Sequence, residues 1–396
     1  MTQREAALRL DETWAELRAD REERPPGAPD PGADEAEALL TRLVHALREA
    51  ARDGDVECTA RLGLRLADLA GLRFGRGDRA GALSAVGEAL HHSEQAARRA
   101  PDVPEFTRWW ARGLINQGVW LAWPLSDDRR LPRWPLGSAG SEGPGMMERA
   151  AGERALALTR TAVDVWAGLD RADAVNRRGL AQAKVFLADR LAELGHREEA
   201  VAWAVDAEND FRRLLAGHPG GASAAEAAGE AEGVRAALAH LARQLDLRLR
   251  HLEFASLVRL RAQGLLPERL LGQAVVLGGV RGLGPDEIAE GLGVPPAQVA
   301  AWWRGSPWPA VWRVDVRDRD GLWSALPRPW QGRAEVRGRT AADVSAELAE
   351  SFLGSSERPA AGTPWRLHVW WRTAGDPAAA LYRLAGTVGT HEAHTP

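Results

Sequence analysis

Cysteine, lysine and tyrosine are each used once in this chain of 396 residues. With Cys58 alone, an intrachain disulfide is excluded, and a reducing compartment is expected. Lys184 is the single lysine among 51 basic residues, and Ala, Gly and Pro are abundant. That bias follows GC-rich codons, as in a high-GC bacterial genome, and it makes arginine content by itself a poor guide to function. No run of about 18 apolar residues occurs, so no membrane span is expected. The opening MTQREAALRLDETW reads as a charged helix rather than a signal peptide, and a cytoplasmic location is expected. The net charge of -4 lacks the basic excess that usually marks a nucleic-acid binder.

Catalytic signatures are missing as well. The glycine-rich LGGVRGLG at 277–284 lacks the lysine that follows a phosphate-binding loop and the strand that precedes one. There is no His-Glu zinc motif and no nucleophile elbow. His91 and His92 are adjacent on a helical pattern, so their side chains diverge by about 100° and make a poor metal pair. The expectation is a non-enzymatic protein with no cofactor and no metal.

What is present is helix. Thr2 to Glu23 is one amphipathic helix, and Arg24–Gly32 is a breaker-rich linker. From Ala33 to about Gly264, Ala, Leu, Arg and Glu dominate, with Gly and Pro between the periodic runs. Within this region the order Leu69, Ala70, Gly77, Ala82, Val86, Ala89 recurs as Leu187, Ala188, Gly195, Ala200, Ala204, Ala207. Small residues let two antiparallel helices approach closely, and a turn glycine takes positive φ at little cost. Ala155, Thr159, Ala162 and Trp166 match Ala200, Ala204, Ala207 and Phe211 at a constant offset of 45. Leu114, Gln117 and Gly118 read as the first helix of that copy, separated from its second by an insert of about residues 125–147. The insert is rich in Pro, Gly and Ser and reads as a loop. Residues 223–264 form a last, degenerate pair.

These residues resemble the tetratricopeptide repeat, without its first signature aromatic. The resemblance implies an α-α superhelix whose first helices line a concave face that holds a peptide or protein partner. On that basis Leu64, Ala67, Gly71 and Phe74 lie on the face, then Ile115, Val119 and Ala122, then Gln182, Val185, Asp189 and Glu193. The mix implies a peptide carrying an apolar anchor and a basic residue.

Residues 265–305 resemble a helix-turn-helix. Ile288, Ala289, Leu292, Val299 and Trp302 are its interior positions, with Gly293 in the turn. The second helix offers Pro296, Ala297, Gln298, Ala300 and Ala301 where base edges would be read, so a structural or protein-binding role is expected. Trp303 should face outward, toward protein, if Trp302 faces in. Residues 306–396 read as a small α+β domain of order β-β-α-β-α, with strands at Ala310–Val316, Arg333–Arg339 and Trp365–Trp371, a helix from Thr340 to Phe352, and a short helix after Asp376. Nine of the 17 tryptophans lie at or after Trp302. Most should be core, but one of each adjacent pair, Trp302-Trp303 and Trp370-Trp371, should face solvent or a partner. The fold expected is mainly α, in four parts: 1–32, 33–264, 265–305 and 306–396. The function expected is an adaptor for a protein or peptide. The rivals are a transcription regulator that binds DNA through the helix-turn-helix, and an adaptor or sensor of a bacterial conflict or signalling system.

Overall fold

The computed structural model describes residues 2–22, 32–122, 146–216, 224–250, 252–356, 358–371, 380 and 382–388. The linker expected at 24–32 and the insert expected at about 125–147 fall almost wholly outside them. Among the described residues the chain is mostly helical, with a small antiparallel sheet near its C-terminus. No helix there is long and apolar enough to cross a membrane. Two compact units divide within one helix, between Leu241 and Ala242.

The first unit is a run of helices: α1 (Gln3–Glu22), α2 (Ala33–Arg52), α3 (Val56–Gly75), α4 (Arg79–Arg99), α5 (Pro104–Ala122), α6 (Met146–Ala167), α7 (Ala174–Glu193), α8 (Arg197–Ala216) and the start of α9 (Ala224–Arg250). Each of α1 to α7 packs on the next in sequence. In addition α3 touches α5, and α5 touches α7. Local chemistry sets the breaks. Asp55, Asp78 and Asp173 cap α3, α4 and α7 by accepting from the amides of Cys58, Gly81 and Val175. Gly77 and Gly195 turn the chain between paired helices at φ 84° and 85°, a conformation that a Cβ makes costly. The alanines expected at the helix contacts, Ala82, Ala155, Ala162, Ala200 and Ala207, have no exposed surface.

Polar residues fix the pairs further. Lys184 on α7 reaches Asp206 and Asp210 on α8, at 2.6 and 2.5 Å. Asp11 on α1 is buried and ion-paired with both Arg61 and Arg65 on α3. Trp14 Nε1 donates to Asp68 at 2.9 Å. The N-terminal helix thus shares one core with α2 and α3.

The second unit contains α10 (Phe254–Ala262), α11 (Glu268–Val280), α12 (Pro285–Leu292) and α13 (Pro296–Gly305). It also holds β1 (Trp308–Arg317), β2 (Trp323–Ala325), β3 (Gln331–Val336), α14 (Ala341–Gly354), β4 (Pro364–Trp371) and β5 (Tyr382–Thr387). The sheet runs β2-β1-β4-β5, with β3 also paired to β1, and every pairing is antiparallel. Thr340 and Asp343 form a capping box at the start of α14. The helix expected after Asp376 is corrected in its described part, because Tyr382–Thr387 is the edge strand β5. Tyr382 and Leu384 pack inward while Arg383 is exposed, a two-residue period that the pairing with β4 completes. Trp308 and Trp365 are fully buried core, as expected of most tryptophans here. Val276 and Val280 of α11 share a core with Trp308, Ala310 and Val369, so the segment 265–305 and the sheet pack as one body.

Candidate functional site

Three surfaces were singled out by sequence or emerge from the packing: the first helices of the pairs, the helix-turn-helix, and the sheet.

On the first helices, the expected residues divide into core and surface. Ile115 is buried in the cluster formed with Leu114, Leu156 and Leu187, and serves packing. Val119 is partly buried against the same cluster. Phe74 is half-buried and stacks on Trp120 of α5, with ring centroids 5.5 Å apart. Gln182 is exposed, and Val185 and Asp189 are half-exposed. Glu193 is mostly covered, its carboxylate 2.8 Å from Arg190 Nη1 on the same helix.

The same stripes continue toward the start of each helix, onto arginines that sequence reasoning passed over. Arg108, Arg112, Ile115 and Val119 on α5 carry the same 4-3-4 spacing as Arg178, Gln182, Val185 and Asp189 on α7. That shared period was the available signal. Arg108 is structural. It donates to Asn176 at 2.7 Å and pairs with Asp173, joining α5 to the start of α7. Arg112 and Arg178 have no carboxylate or hydrogen-bond partner among the described residues. Burial first, and then the charges of Arg108, Arg18 and Arg178, hold the Arg112 guanidinium below its ordinary pKa. Arg112 and Arg178 are thus like charges gathered without a carboxylate of their own.

The segment that resembles a helix-turn-helix holds α11, α12 and α13. Ile288, Ala289, Leu292 and Val299 are buried, Gly293 turns at φ 62°, and α11, α12 and α13 pack on one another. Its outer face carries exposed Pro296, Ala297, Gln298 and Ala301. Arg281 donates to the Leu252 carbonyl, and burial holds it below its ordinary pKa. Both Trp302 and Trp303 are half-buried on α11. A Cβ at Gly279 would lie 2.6 Å from the Trp303 ring. Trp303 therefore covers α11 rather than facing outward, because Gly272 and Gly279 of that helix leave room for both indoles. With one glutamine and few basic contacts on α13, the full chain is expected not to retard a duplex at moderate salt. A gel-shift measures this; a sequence-specific shift abolished by Gln298→Ala and Arg304→Ala would contradict it.

The sheet has one face on α14 and a second turned away. On the second face Asp315 of β1 is buried. Arg313 Nε lies 2.8 Å from one of its carboxylate oxygens, Arg366 Nε lies 3.0 Å from the other, and His368 Nδ1 lies 3.6 Å from that second oxygen. Arg313 lies over Trp370 and Arg366 over Trp323, at 5.4 and 4.3 Å. Trp370 and Trp371 do point to opposite faces, but Trp370 is buried beneath this cluster, contrary to the solvent position expected of one member of the pair.

His368 is pushed down to about 4, first by burial and then by Arg366, Arg313 and Arg383, against the opposing pull of Asp315. A folded pKa below the unfolded 6.5 means that protonation favours unfolding. This contribution to stability is full above about pH 6.5 and is lost as pH falls toward 4. It amounts to about 3 kcal/mol. Thermal midpoints measured across that window should fall, and His368→Gln should flatten the fall; an equal fall in the variant would assign it to other groups.

Burial pushes the Cys58 thiol up to about 11, so it stays protonated at neutral pH. Among the described residues no group of three His, Cys, Asp or Glu is placed to hold a metal ion. No protein-family model matches the chain, and no curated protein matches it at a significant level.

Proposed function

We propose that the chain is a non-enzymatic scaffold of the tetratricopeptide type, which holds a peptide segment of a protein partner along α3, α5 and α7. The observation that carries this reading is the packing order. The first helices of successive pairs touch one another, α3 with α5 and α5 with α7. Such contacts are what a continuous layer of first helices requires. Along it, partly buried apolar groups (Phe74, Val119, Val185) alternate with polar ones (Gln182, Asp189). Arg112 and Arg178, without a partner among the described residues, change the expected ligand. The peptide carries an apolar anchor and an acidic residue, where sequence alone suggested a basic one. Charge-assisted pairing with a carboxylate would relieve the mutual repulsion of the arginines.

Selection of a displayed random peptide library on the purified full chain tests the reading. Enriched peptides should combine an apolar residue with Asp or Glu. Their affinity should drop at least tenfold in Arg112→Glu/Arg178→Glu, with a thermal midpoint within about 4 °C of the parent. No enrichment, or enriched peptides indifferent to this variant and to Val185→Glu, would contradict it.

A further inference from the structure

The sheet face turned away from α14 is strongly cationic. Strand register places Arg313 and Arg317 of β1, Arg333 of β3, Arg366 of β4 and Arg383 of β5 on it. Its carboxylates are Asp315, which is buried and already engaged, and Glu335. Asp318 and Asp320 lie in the adjoining β1–β2 hairpin, and Asp318 accepts the turn amides of Asp320 and Leu322.

Arg313 and Arg366 cover the buried Asp315 and Trp370, whereas Arg317 and Arg333 are exposed, on the side of the sheet away from the α14 core. Arg366 is fixed on one edge by Asp315 and on its plane by Trp323, so its terminal nitrogens have no protein acceptor among the described residues. Arg333 is exposed and has no partner among them, and Arg317 spends only its Nε, on the Gly321 carbonyl. Neighbouring strands lie about 4.8 Å apart, so the arginines from β3 to β5 span about 14 Å. Beside them Trp323 is 39% exposed and Leu322 67% exposed.

We propose that this face binds single-stranded nucleic acid, with Arg317, Arg333 and Arg366 on backbone phosphates and Trp323 as a stacking surface for a base. Planar guanidiniums held in place match phosphate oxygens, and an exposed indole beside them meets unstacked bases. That pairing of charge with an aromatic favours a nucleic acid over an acidic protein. An exposed indole stacks on an unstacked base and not on one held within a duplex, so the absence of duplex retardation expected above at moderate salt stands.

Fluorescence anisotropy of the full chain with a labelled oligothymidylate of about 15 nucleotides tests this at low salt. Binding is expected, weakening with a log–log salt slope of about −0.7 for each phosphate contacted. Arg317→Glu/Arg333→Glu alters two exposed residues; it should lose at least tenfold in affinity and keep the parent thermal midpoint. Arg112→Glu/Arg178→Glu, in the other unit, should bind as the parent does, which keeps this test separate from that of the peptide scaffold. No binding at low salt, or an unchanged affinity in Arg317→Glu/Arg333→Glu, overturns the proposal. Displacement by oligoglutamate as effective as by unlabelled thymidylate also overturns it, in favour of an acidic protein.

Discussion

Replacing Asp11 by alanine is expected to lower the stability of the helical unit by about 3–5 kcal/mol. The carboxylate is 2% exposed and is the shared partner of Arg61 and Arg65. Arg65 is itself buried, and its remaining carboxylate partner is Asp68, at 2.8 Å. Without Asp11, two guanidiniums of α3 face the vacated side of α1 with half their pairing gone. Leaving a charge buried and unpaired costs much more than the intact pair contributes, and this asymmetry makes the effect large. Asp11→Asn should fall between the two, since an amide oxygen still accepts. Denaturant unfolding measures both; a loss under about 1 kcal/mol for Asp11→Ala would mean that water replaces the carboxylate and that α1 is only loosely seated.

Trp166→Ala is expected to cost a similar amount, about 3–5 kcal/mol. The indole is 1% exposed within the cluster formed by α5, α6 and α7. Its ring lies over Gly179, where a Cβ would sit 2.4 to 2.6 Å away. The contact predicts a specific non-additivity. Gly179→Ala should destabilise the parent by about 1–3 kcal/mol, through overpacking against the ring. In the Trp166→Ala background the same methyl enters vacated space and should be neutral or stabilising. Equal effects of Gly179→Ala in both backgrounds would show that the ring moves aside without cost.

Trp166 also shows what the sequence could reveal. Its place in the interrupted third copy follows from the constant offset to Phe211, and both residues are buried, on α6 and α8. The turn glycines Gly77 and Gly195 and the alanines at the helix contacts were legible for the same reason. Each answers a local steric demand that repeats whenever the pair repeats. The strand β5 was not legible, because PAAALYRLAG has a helix-forming composition and only pairing with β4 overrides it. The short strand β2 gave no pattern in three residues. Trp303 was misplaced because a pair of adjacent tryptophans implies opposite faces only when the neighbouring surface is flat. The glycines at 272 and 279 of α11 make recesses for both rings. Arg112 and Arg178 escaped notice among so many arginines. Their significance lies in having no partner among the described residues, which is a property of the fold rather than of the chain.

The central claim is that α3, α5 and α7 together present the surface on which a partner peptide lies. Photo-crosslinking tests it most directly. A photoreactive residue is placed in turn at Asn116 and Gln182, exposed on first helices, and at Ser84 and Thr161, exposed on the second helices α4 and α6. A peptide selected on the full chain should crosslink from positions 116 and 182, not from 84 or 161, and excess unlabelled peptide should suppress the product. Crosslinks confined to 84 and 161, or equal at all four, would contradict the claim.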